Sequence, residues 1–124
     1  MMKLTLMLLA VGLFIFVLKM KASGVLPLAT AREHLKRGAL LVDVRTVAEF
    51  NAKHLTNAVN IPLDDIQLTL PKRVPDKGQV ILLHCRSGRR SGIAEQQLRG
   101  LGYTNVFNVG SFEQAEKLVK SDIK

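Results

Sequence analysis

Cysteine and aromatic residues are scarce in this chain. Its 124 residues include one cysteine, one tyrosine and no tryptophan. A single cysteine excludes an internal disulfide bond and a cysteine-rich zinc site. Lysine and arginine number 18 against 10 acidic residues, but the chain lacks the interleaved aromatic and basic residues on which nucleic-acid bases stack. We therefore expect the positive charge to attract small anions rather than nucleic acid.

The amino-terminal residues differ in composition from the rest. An apolar run from residue 4 to residue 18 follows Lys3 and precedes Lys19 and Lys21. The run is shorter than the roughly 20 residues that usually span a membrane. Its basic start and the small residues at 22–24 are typical of a signal peptide, whereas lysines at both ends also suit an uncleaved anchor. We predict a hydrophobic helix, either signal peptide or membrane anchor, over residues 1–24 and one domain over residues 25–124.

The domain alternates between strand-like and helix-like patterns. Capping-box spacing at Thr30 and at Ser111 predicts the starts of the first and last helices. Pro71 is expected to close a central helix, and Asn57 to take a left-handed turn conformation. Strands are predicted at 39–44, 59–61, 80–85 and 105–109, and helices at 30–37, 47–53, 64–70, 91–101 and 111–120. This alternation predicts an α/β fold with a mainly parallel sheet flanked by helices.

The stretch from Gln79 to Leu98 predicts an anion site. A short apolar strand ends at Cys85, a loop with three arginines follows, and then a helical pattern with Ile93 and Leu98 on its inner side. Loop amides and the first N–H groups of a helix lack intrahelical partners, and Gly88 permits the tight backbone that aims them inward. We expect a bowl that small anions can enter. A thiol there should ionise more readily than a free one, which favours a reactive cysteine over a buried apolar one.

Three blocks of this sequence resemble the rhodanese family of sulfurtransferases. Residues 85–90 have the family's active-site form Cys-Arg-x-Gly-x-Arg. Residues 41–63 contain Asp-x-Arg, Glu-Phe, a histidine and Ala-x-Asn-Ile-Pro in order, and residues 102–106 contain Gly-Tyr-x-x-Val. The chain is most similar to the small, exported, single-domain rhodaneses of bacteria. The resemblance implies a rhodanese-like fold and a place in the bacterial cell envelope, either anchored in the inner membrane or periplasmic.

The resemblance also implies a reaction. Cys85 would take a sulfane sulfur from an anionic donor such as thiosulfate, and the resulting persulfide would pass it to cyanide or a thiol. No cofactor is implied, and we expect a monomer. The predicted substrate-binding residues are Arg86, Ser87, Gly88, Arg89 and Arg90. The first and last of these would act through their side chains, and the three between them through their backbone.

Asp43 and Arg45 alternate along a predicted strand and therefore share a face. We interpret them as a structural ion pair that braces neighbouring loops, with direct catalysis as the alternative. The histidines at positions 34, 54 and 84 lack the spacing of metal ligands, so no metal site is predicted. His54 is expected to form a structural hydrogen bond rather than to act as a base.

Other functions remain open at this point. A persulfide carrier that delivers sulfur to a protein partner would share the first half of the reaction. A rhodanese-like binding module is disfavoured because such modules usually lack the cysteine, which is present here as Cys85. A cysteine phosphatase or arsenate reductase is disfavoured because its Cys-x-x-x-x-x-Arg signature would require an arginine where Ser91 stands.

Overall fold

The computed structural model describes residue 3, residues 7–11 and residues 24–120. Five helices lie between residues 24 and 120: α1 (Leu28–Lys36), α2 (Val47–Ala52), α3 (Ile66–Arg73), α4 (Arg89–Gly100) and α5 (Phe112–Lys120). Four strands alternate with them: β1 (Leu40–Asp43), β2 (Val59–Asn60), β3 (Ile81–His84) and β4 (Val106–Gly110). A 3-10 turn at Leu63–Asp65 leads into α3.

The four strands form one parallel sheet in the order β2-β1-β3-β4. Val42 of β1 is aligned with Val59 of β2 on one side and with Leu83 of β3 on the other. Parallel neighbours cannot be joined by a tight turn, so each connection crosses the sheet through a helix. The predicted α/β architecture with a mainly parallel sheet is therefore confirmed, and the carboxyl ends of the strands meet at one edge.

Strand side chains alternate between two apolar cores, one on each face of the sheet. The core beneath α3 and α4 includes Val42, Leu83, Ile66, Leu70 and Leu98. The core beneath α1 and α5 includes Leu41, Leu82, Ala31, Ala115 and Leu118. Because both faces are covered, the central strands are nearly continuous apolar runs, which is typical of parallel sheets.

Two helices start earlier than the sequence predicted. α1 begins at Leu28 behind Pro27 with no side-chain cap, so Thr30 lies inside the helix and its capping-box prediction is wrong. Proline is favoured at the entry to a helix because its φ is already fixed near the helical value. α4 begins at Arg89 because Gly88, with φ +94°, turns the chain directly before it.

Two other residues of the helices differ from their predictions, one in its place along the helix and one in its exposure. Pro71 is inside α3 rather than at its end. Its missing N–H leaves the carbonyl of Gln67 without a helical donor, but Gln67 is exposed, and the buried Leu70 and Val74 hold the last turn. Ile93 is 39% exposed. The buried face of α4 is formed instead by Ser91, Ala94, Glu95 and Leu98.

Three other predictions made from short stretches of sequence are confirmed by the structure. The Ser111 hydroxyl accepts from the Gln114 N–H at 3.1 Å, and the Gln114 side chain accepts from the Ser111 N–H at 2.8 Å, so the second capping box is confirmed. Asn57 has φ +67°, as predicted for a left-handed turn residue. His54 Nδ1 lies 2.9 Å from the Phe50 carbonyl, which is the structural hydrogen bond expected of it.

Most of the hydrophobic helix predicted for residues 1–24 lies outside the described residues, which include only residues 3, 7–11 and 24 of that range. Within residues 3, 7–11 and 24–120, no helix has the length and apolar character needed to cross a membrane. The described chain enters the domain beside β4, where the Leu26 N–H donates to the Asn108 carbonyl at 2.8 Å.

We expect Leu98→Ala to lower the free energy of unfolding by about 2–5 kcal/mol, because a buried leucine leaves both lost contacts and a cavity. Leu98 is 0% exposed on α4, whereas Leu68 on α3 is 76% exposed. The control Leu68→Ala should therefore change the free energy by no more than about 0.5 kcal/mol. Urea unfolding followed by circular dichroism measures both values. Equal losses would contradict the buried face assigned to α4.

Candidate active site

The loop between β3 and α4 carries the only cysteine. Cys85 follows β3 directly, and α4 starts at Arg89. Gly88 precedes the helix with φ +94° and ψ −8°, a backbone conformation that residues with a Cβ disfavour. The loop lies at the carboxyl ends of the parallel strands, where sheets of this kind bind ligands.

Hydrogen-bond donors converge on the Cys85 sulfur. The Gly88 N–H donates to Sγ at 3.0 Å, and the Ser91 hydroxyl lies 3.5 Å from it. Burial raises the pKa of the thiol, but hydrogen bonds from the Ser91 hydroxyl and from the amides of Ser91, Gly88 and Ser87 outweigh it. The pKa of Cys85 therefore lies below that of a free thiol, in the direction that the sequence predicted.

Access to the thiol differs from the prediction. Cys85 is 0% exposed, so the site is not the open bowl expected from the sequence. The loop residues Arg86, Ser87 and Arg89 are exposed. The loop folds back on the sulfur, with the Gly88 N–H 3.0 Å from it, so the thiol lies inside a packed site rather than at an open surface.

The end of β4 and the start of α5 hold the loop in place. The Cys85 N–H donates to the Gly110 carbonyl at 3.2 Å, and the Phe112 N–H donates to the Arg86 carbonyl at 3.3 Å. A Cβ on Gly88 would lie 3.3 Å from the Gly110 Cα. The two backbones are thus in contact, and both positions depend on the absence of a side chain.

A buried amide on β4 connects the loop to the sheet. Asn108 is 6% exposed. Its Oδ1 accepts from the Ser91 hydroxyl at 2.7 Å and from the Gly110 N–H at 2.8 Å, and its Nδ2 donates to the Gly88 carbonyl at 3.0 Å. Asn108 and Ser91 are not among the site residues predicted from the sequence. A polar residue in a strand indicates nothing about its partner, and the only available signal for Ser91 was its place just after the loop.

Asp43 and Arg45 form a buried ion pair at the end of β1. Arg45 Nε and Nη2 donate to the Asp43 carboxylate at 3.0 and 2.7 Å, and Nη2 also donates to the Lys53 carbonyl at 2.6 Å. The guanidinium carbon lies 4.8 Å from the centroid of the Phe112 ring. These contacts connect β1 to the residue after α2 and to α5, which is what a bracing role requires.

His84, the residue before the cysteine, belongs to that cluster. Its Nε2 lies 3.7 Å from Asp43 Oδ2, and its ring meets Phe112 edge to face at 5.8 Å between centroids. Burial lowers the pKa of His84 in spite of the nearby Asp43 carboxylate. Because neighbouring residues alternate across a strand, His84 lies on the opposite face from the Cys85 side chain, where it cannot take the proton of the thiol.

The Arg90 guanidinium, predicted to bind substrate, is paired within the protein. Nη1 and Nη2 donate to the two carboxylate oxygens of Glu49 at 2.7 and 3.1 Å. Glu49 also closes a capping box with Thr46 at the start of α2. Hydrogen bonds from Arg90 and Thr46 lower the pKa of Glu49 to about 2 against a smaller opposing effect of burial. An anion near Arg90 would therefore meet a neutralised ion pair rather than a free positive charge.

Other candidate ligand sites lie away from this loop. In the part of the chain that the structure describes, no cluster of three or more His, Cys, Asp and Glu side chains could hold a metal ion. A cleft of about 520 Å³ is lined by Leu35, Ala39, Leu40, Leu41, Thr56, Asn57 and Val119. None of these residues belongs to the loop, so the cleft is separate from the thiol.

The loop can stabilise negative charge on a sulfur atom. Amide and hydroxyl donors fixed before reaction favour a thiolate and any anionic sulfur species formed at the same place. Because these donors are neutral, they stabilise an anion without placing a positively charged group next to it. The arrangement therefore suits a nucleophilic cysteine that exchanges anionic groups.

Comparisons with known proteins agree on one family. The Rhodanese-like domain family matches residues 28–117. Thiosulfate sulfurtransferase PspE of Escherichia coli K12 is 36% identical over 72 residues, which are 58% of this chain and 69% of that protein. A solved structure titled rhodanese with anions from E. coli is 34% identical with a TM-score of 0.60, and the match covers 62% of this chain and 91% of that one.

Other relatives differ in how much of their own length the match covers. The human single-domain sulfurtransferase TSTD1 is 27% identical with a TM-score of 0.65, covering 75% of this chain and 95% of that one. A tRNA uridine(34) hydroxylase of Erwinia tasmaniensis is 34% identical over 85 residues, but these are only 24% of that protein. The fold, the loop with its cysteine and the extent of the family match lead to one conclusion: this chain belongs to the rhodanese-like domain family, whose members include single-domain sulfurtransferases.

Proposed function

We propose that this chain is a thiosulfate sulfurtransferase that works through a persulfide on Cys85. The observation that carries the proposal is the set of donors on the sulfur, with the Gly88 N–H at 3.0 Å and the Ser91 hydroxyl at 3.5 Å. Such donors stabilise the charged forms of sulfur that the reaction needs. The similarity to PspE, named for this activity, supports the choice of donor.

The proposed reaction has two steps. In the first, the Cys85 thiolate attacks the outer sulfur of thiosulfate, the bond between the two donor sulfurs breaks, and sulfite leaves with the electron pair. The enzyme then holds a persulfide whose outer sulfur is negatively charged. In the second step, cyanide or a thiolate attacks that outer sulfur, and the electron pair of the S–S bond returns to Cys85. No added oxidant or reductant is needed.

The loop residues divide the work of binding the donor. Arg86 and Arg89 are exposed at the mouth of the loop, and we propose that they attract the donor anion. Ser87 and Gly88 contribute backbone amides, of which the Gly88 N–H already contacts the sulfur. Arg90 is assigned mainly to loop geometry because Glu49 occupies its guanidinium. We keep Asp43 and Arg45 as a brace for the strand end that precedes α2.

Two alternatives differ in how far the structure supports them. A persulfide carrier that hands the sulfur to a protein partner would use the same first step and the same loop. A phosphatase loop would need a guanidinium at position 91, where the structure has a buried serine whose hydroxyl lies 3.5 Å from the sulfur. We therefore propose small-molecule sulfur transfer first, with the carrier as the second candidate.

We also propose that the domain acts as a monomer on the outer side of a bacterial inner membrane. The support is the sequence pattern of residues 3–24, in which lysines flank an apolar run. Expression in Escherichia coli followed by protease treatment of intact spheroplasts tests the placement. We expect the domain to be digested in spheroplasts, while a cytoplasmic marker protein survives. A protected domain would contradict it.

Replacing the nucleophile gives the most direct test of the reaction. We expect wild-type protein treated with thiosulfate to gain the mass of one sulfur atom on Cys85, and Cys85→Ser and Cys85→Ala to gain none and to form no thiocyanate from cyanide. Mass spectrometry and a thiocyanate assay measure these outcomes. Thermal unfolding of the variants serves as the control for folding. Thiocyanate formation by either variant would reject the assignment of Cys85.

The pH dependence of thiol alkylation tests the electrostatics of the loop. Because the hydrogen bonds lower the pKa of Cys85, the thiolate should persist in folded protein at pH values where a free thiol is protonated. We expect the rate of reaction with iodoacetamide to rise at lower pH in folded protein than in the same protein unfolded in urea. The covered position of the sulfur affects the absolute rate, so only the midpoint of each profile is compared. Coinciding midpoints would contradict the lowered pKa.

A further inference from the structure

The Ser91 hydroxyl lies within reach of three acceptors and has one proton to donate. Its oxygen is 2.7 Å from Asn108 Oδ1, and it is 3.5 Å from both Cys85 Sγ and the Gly110 carbonyl oxygen. A hydroxyl has a single O–H donor, and a neutral thiol is a weak acceptor. While the sulfur is a thiol, the shorter distance and the stronger acceptor assign the proton to Asn108.

Asn108 does not need Ser91 to remain satisfied. Its Oδ1 also accepts from the Gly110 N–H at 2.8 Å, and its Nδ2 donates to the Gly88 carbonyl at 3.0 Å. The backbone N–H of Gly110 can only donate and the carbonyl of Gly88 can only accept, so these two partners fix the orientation of the amide. The Ser91 hydroxyl can therefore turn away without leaving a buried polar group unpaired, which would be costly.

We propose that Ser91 is a further catalytic residue, whose hydroxyl donates to Asn108 while the Cys85 sulfur is neutral and to that sulfur whenever it is negatively charged. The proposal rests on the proposed sulfur transfer, in which Sγ is charged at two points. During loading, the thiolate is charged before it attacks the donor and neutral once the S–S bond forms. During discharge, the S–S bond breaks and its electron pair goes back to Sγ.

The two steps therefore depend on Ser91 differently. In loading, the hydroxyl increases the fraction of thiolate, so its loss has little effect once the pH is high enough to ionise Cys85 fully. In discharge, the hydroxyl stabilises the charge that develops on Sγ as the acceptor attacks, and this effect remains at high pH. A residue that served only to pack the loop would impair both steps alike.

The charged groups near the loop have partners other than the Ser91 hydroxyl. Glu49 pairs with Arg90, Glu95 accepts from the Asn108 N–H at 2.8 Å, and Asp43 pairs with Arg45 on the opposite face. Arg86 and Arg89 are exposed, and His84 is buried. A change in the pH profile of Ser91→Ala that Ser91→Thr reverses is therefore assigned to the hydroxyl.

The test compares Ser91→Ala, which removes the hydroxyl, with Ser91→Thr, which keeps it. Ser111→Ala is the matched control, because it deletes a serine hydroxyl close to the loop that accepts from the Gln114 N–H at 3.1 Å rather than facing the sulfur. Three measurements are made on each protein: the thermal unfolding midpoint, the pH profile of alkylation by iodoacetamide, and single-turnover rates of loading by thiosulfate and discharge to cyanide. The chain has one cysteine, so alkylation reports Cys85 alone.

We expect Ser91→Ala to move the alkylation profile by about one pH unit to higher pH, which makes the reaction roughly tenfold slower at pH values below both midpoints. At pH values above the midpoints of both profiles, we expect Ser91→Ala to slow discharge about tenfold and loading by less than about twofold. Ser91→Thr should restore both properties, and Ser111→Ala should match the wild type in them. Should Ser91→Ala fail to fold, Ser91→Val takes its place, because valine has the shape of threonine without its hydroxyl.

An alkylation profile of the hydroxyl-free variant that superimposes on the wild type would overturn the proposal. So would a threonine variant as impaired as the alanine variant, since packing rather than the hydroxyl would then be the cause. The alkylation arm requires no sulfur donor. If the wild type accepts no sulfur from thiosulfate, the proposed function fails, while the alkylation profiles still decide whether Ser91 donates to the charged sulfur.

Discussion

The contact between the backbones of Gly88 and Gly110 is the constraint on which the site depends. A Cβ on Gly88 would lie 3.3 Å from the Gly110 Cα, tighter than most side-chain contacts. Gly88 also has φ +94°, which aims its N–H at the Cys85 sulfur and starts α4. The loop is therefore held between the end of β3 and the end of β4, and the sulfur receives its donors because two parallel strands end side by side.

Few charged side chains face the Cys85 sulfur. Neutral donors from Gly88 and Ser91 contact the sulfur directly, whereas the nearby Arg90 is neutralised by Glu49. In the proposed sulfur transfer, a fixed cation at the sulfur would hold sulfite or thiocyanate after reaction, since Coulomb attraction is strong at low dielectric. Neutral hydrogen bonds stabilise the anionic sulfur without trapping the departing anion as strongly. The exposed arginines of the loop can attract a donor from outside, where solvent screens them.

The two faces of the sheet have separate tasks. On the face that carries the Cys85 side chain, Asn108 and Ser91 connect β4, the loop and α4 through hydrogen bonds. On the other face, the Asp43–Arg45 pair and Phe112 connect β1 to α5. The Phe112 N–H at the start of α5 also donates to the Arg86 carbonyl in the loop. The brace on one face of the sheet therefore helps to position the loop on the other face.

Features that depend on neighbours a few residues apart in the chain could be predicted from the amino-acid sequence alone. Apolar periodicity gave the alternation of strands and helices, the spacing of Ser111 and Gln114 gave the start of α5, and a glycine after Cys85 gave the tight loop. Tertiary structure decided what depends on distant partners. Arg90 and Glu49 are 41 residues apart in the chain, and Ser91 and Asn108 are 17 apart. No local pattern indicates such pairs, because the packing of the helices and strands alone brings them together. The burial of Cys85 and the tolerance of Pro71 inside α3 likewise depend on which groups the assembled fold buries and which it leaves exposed.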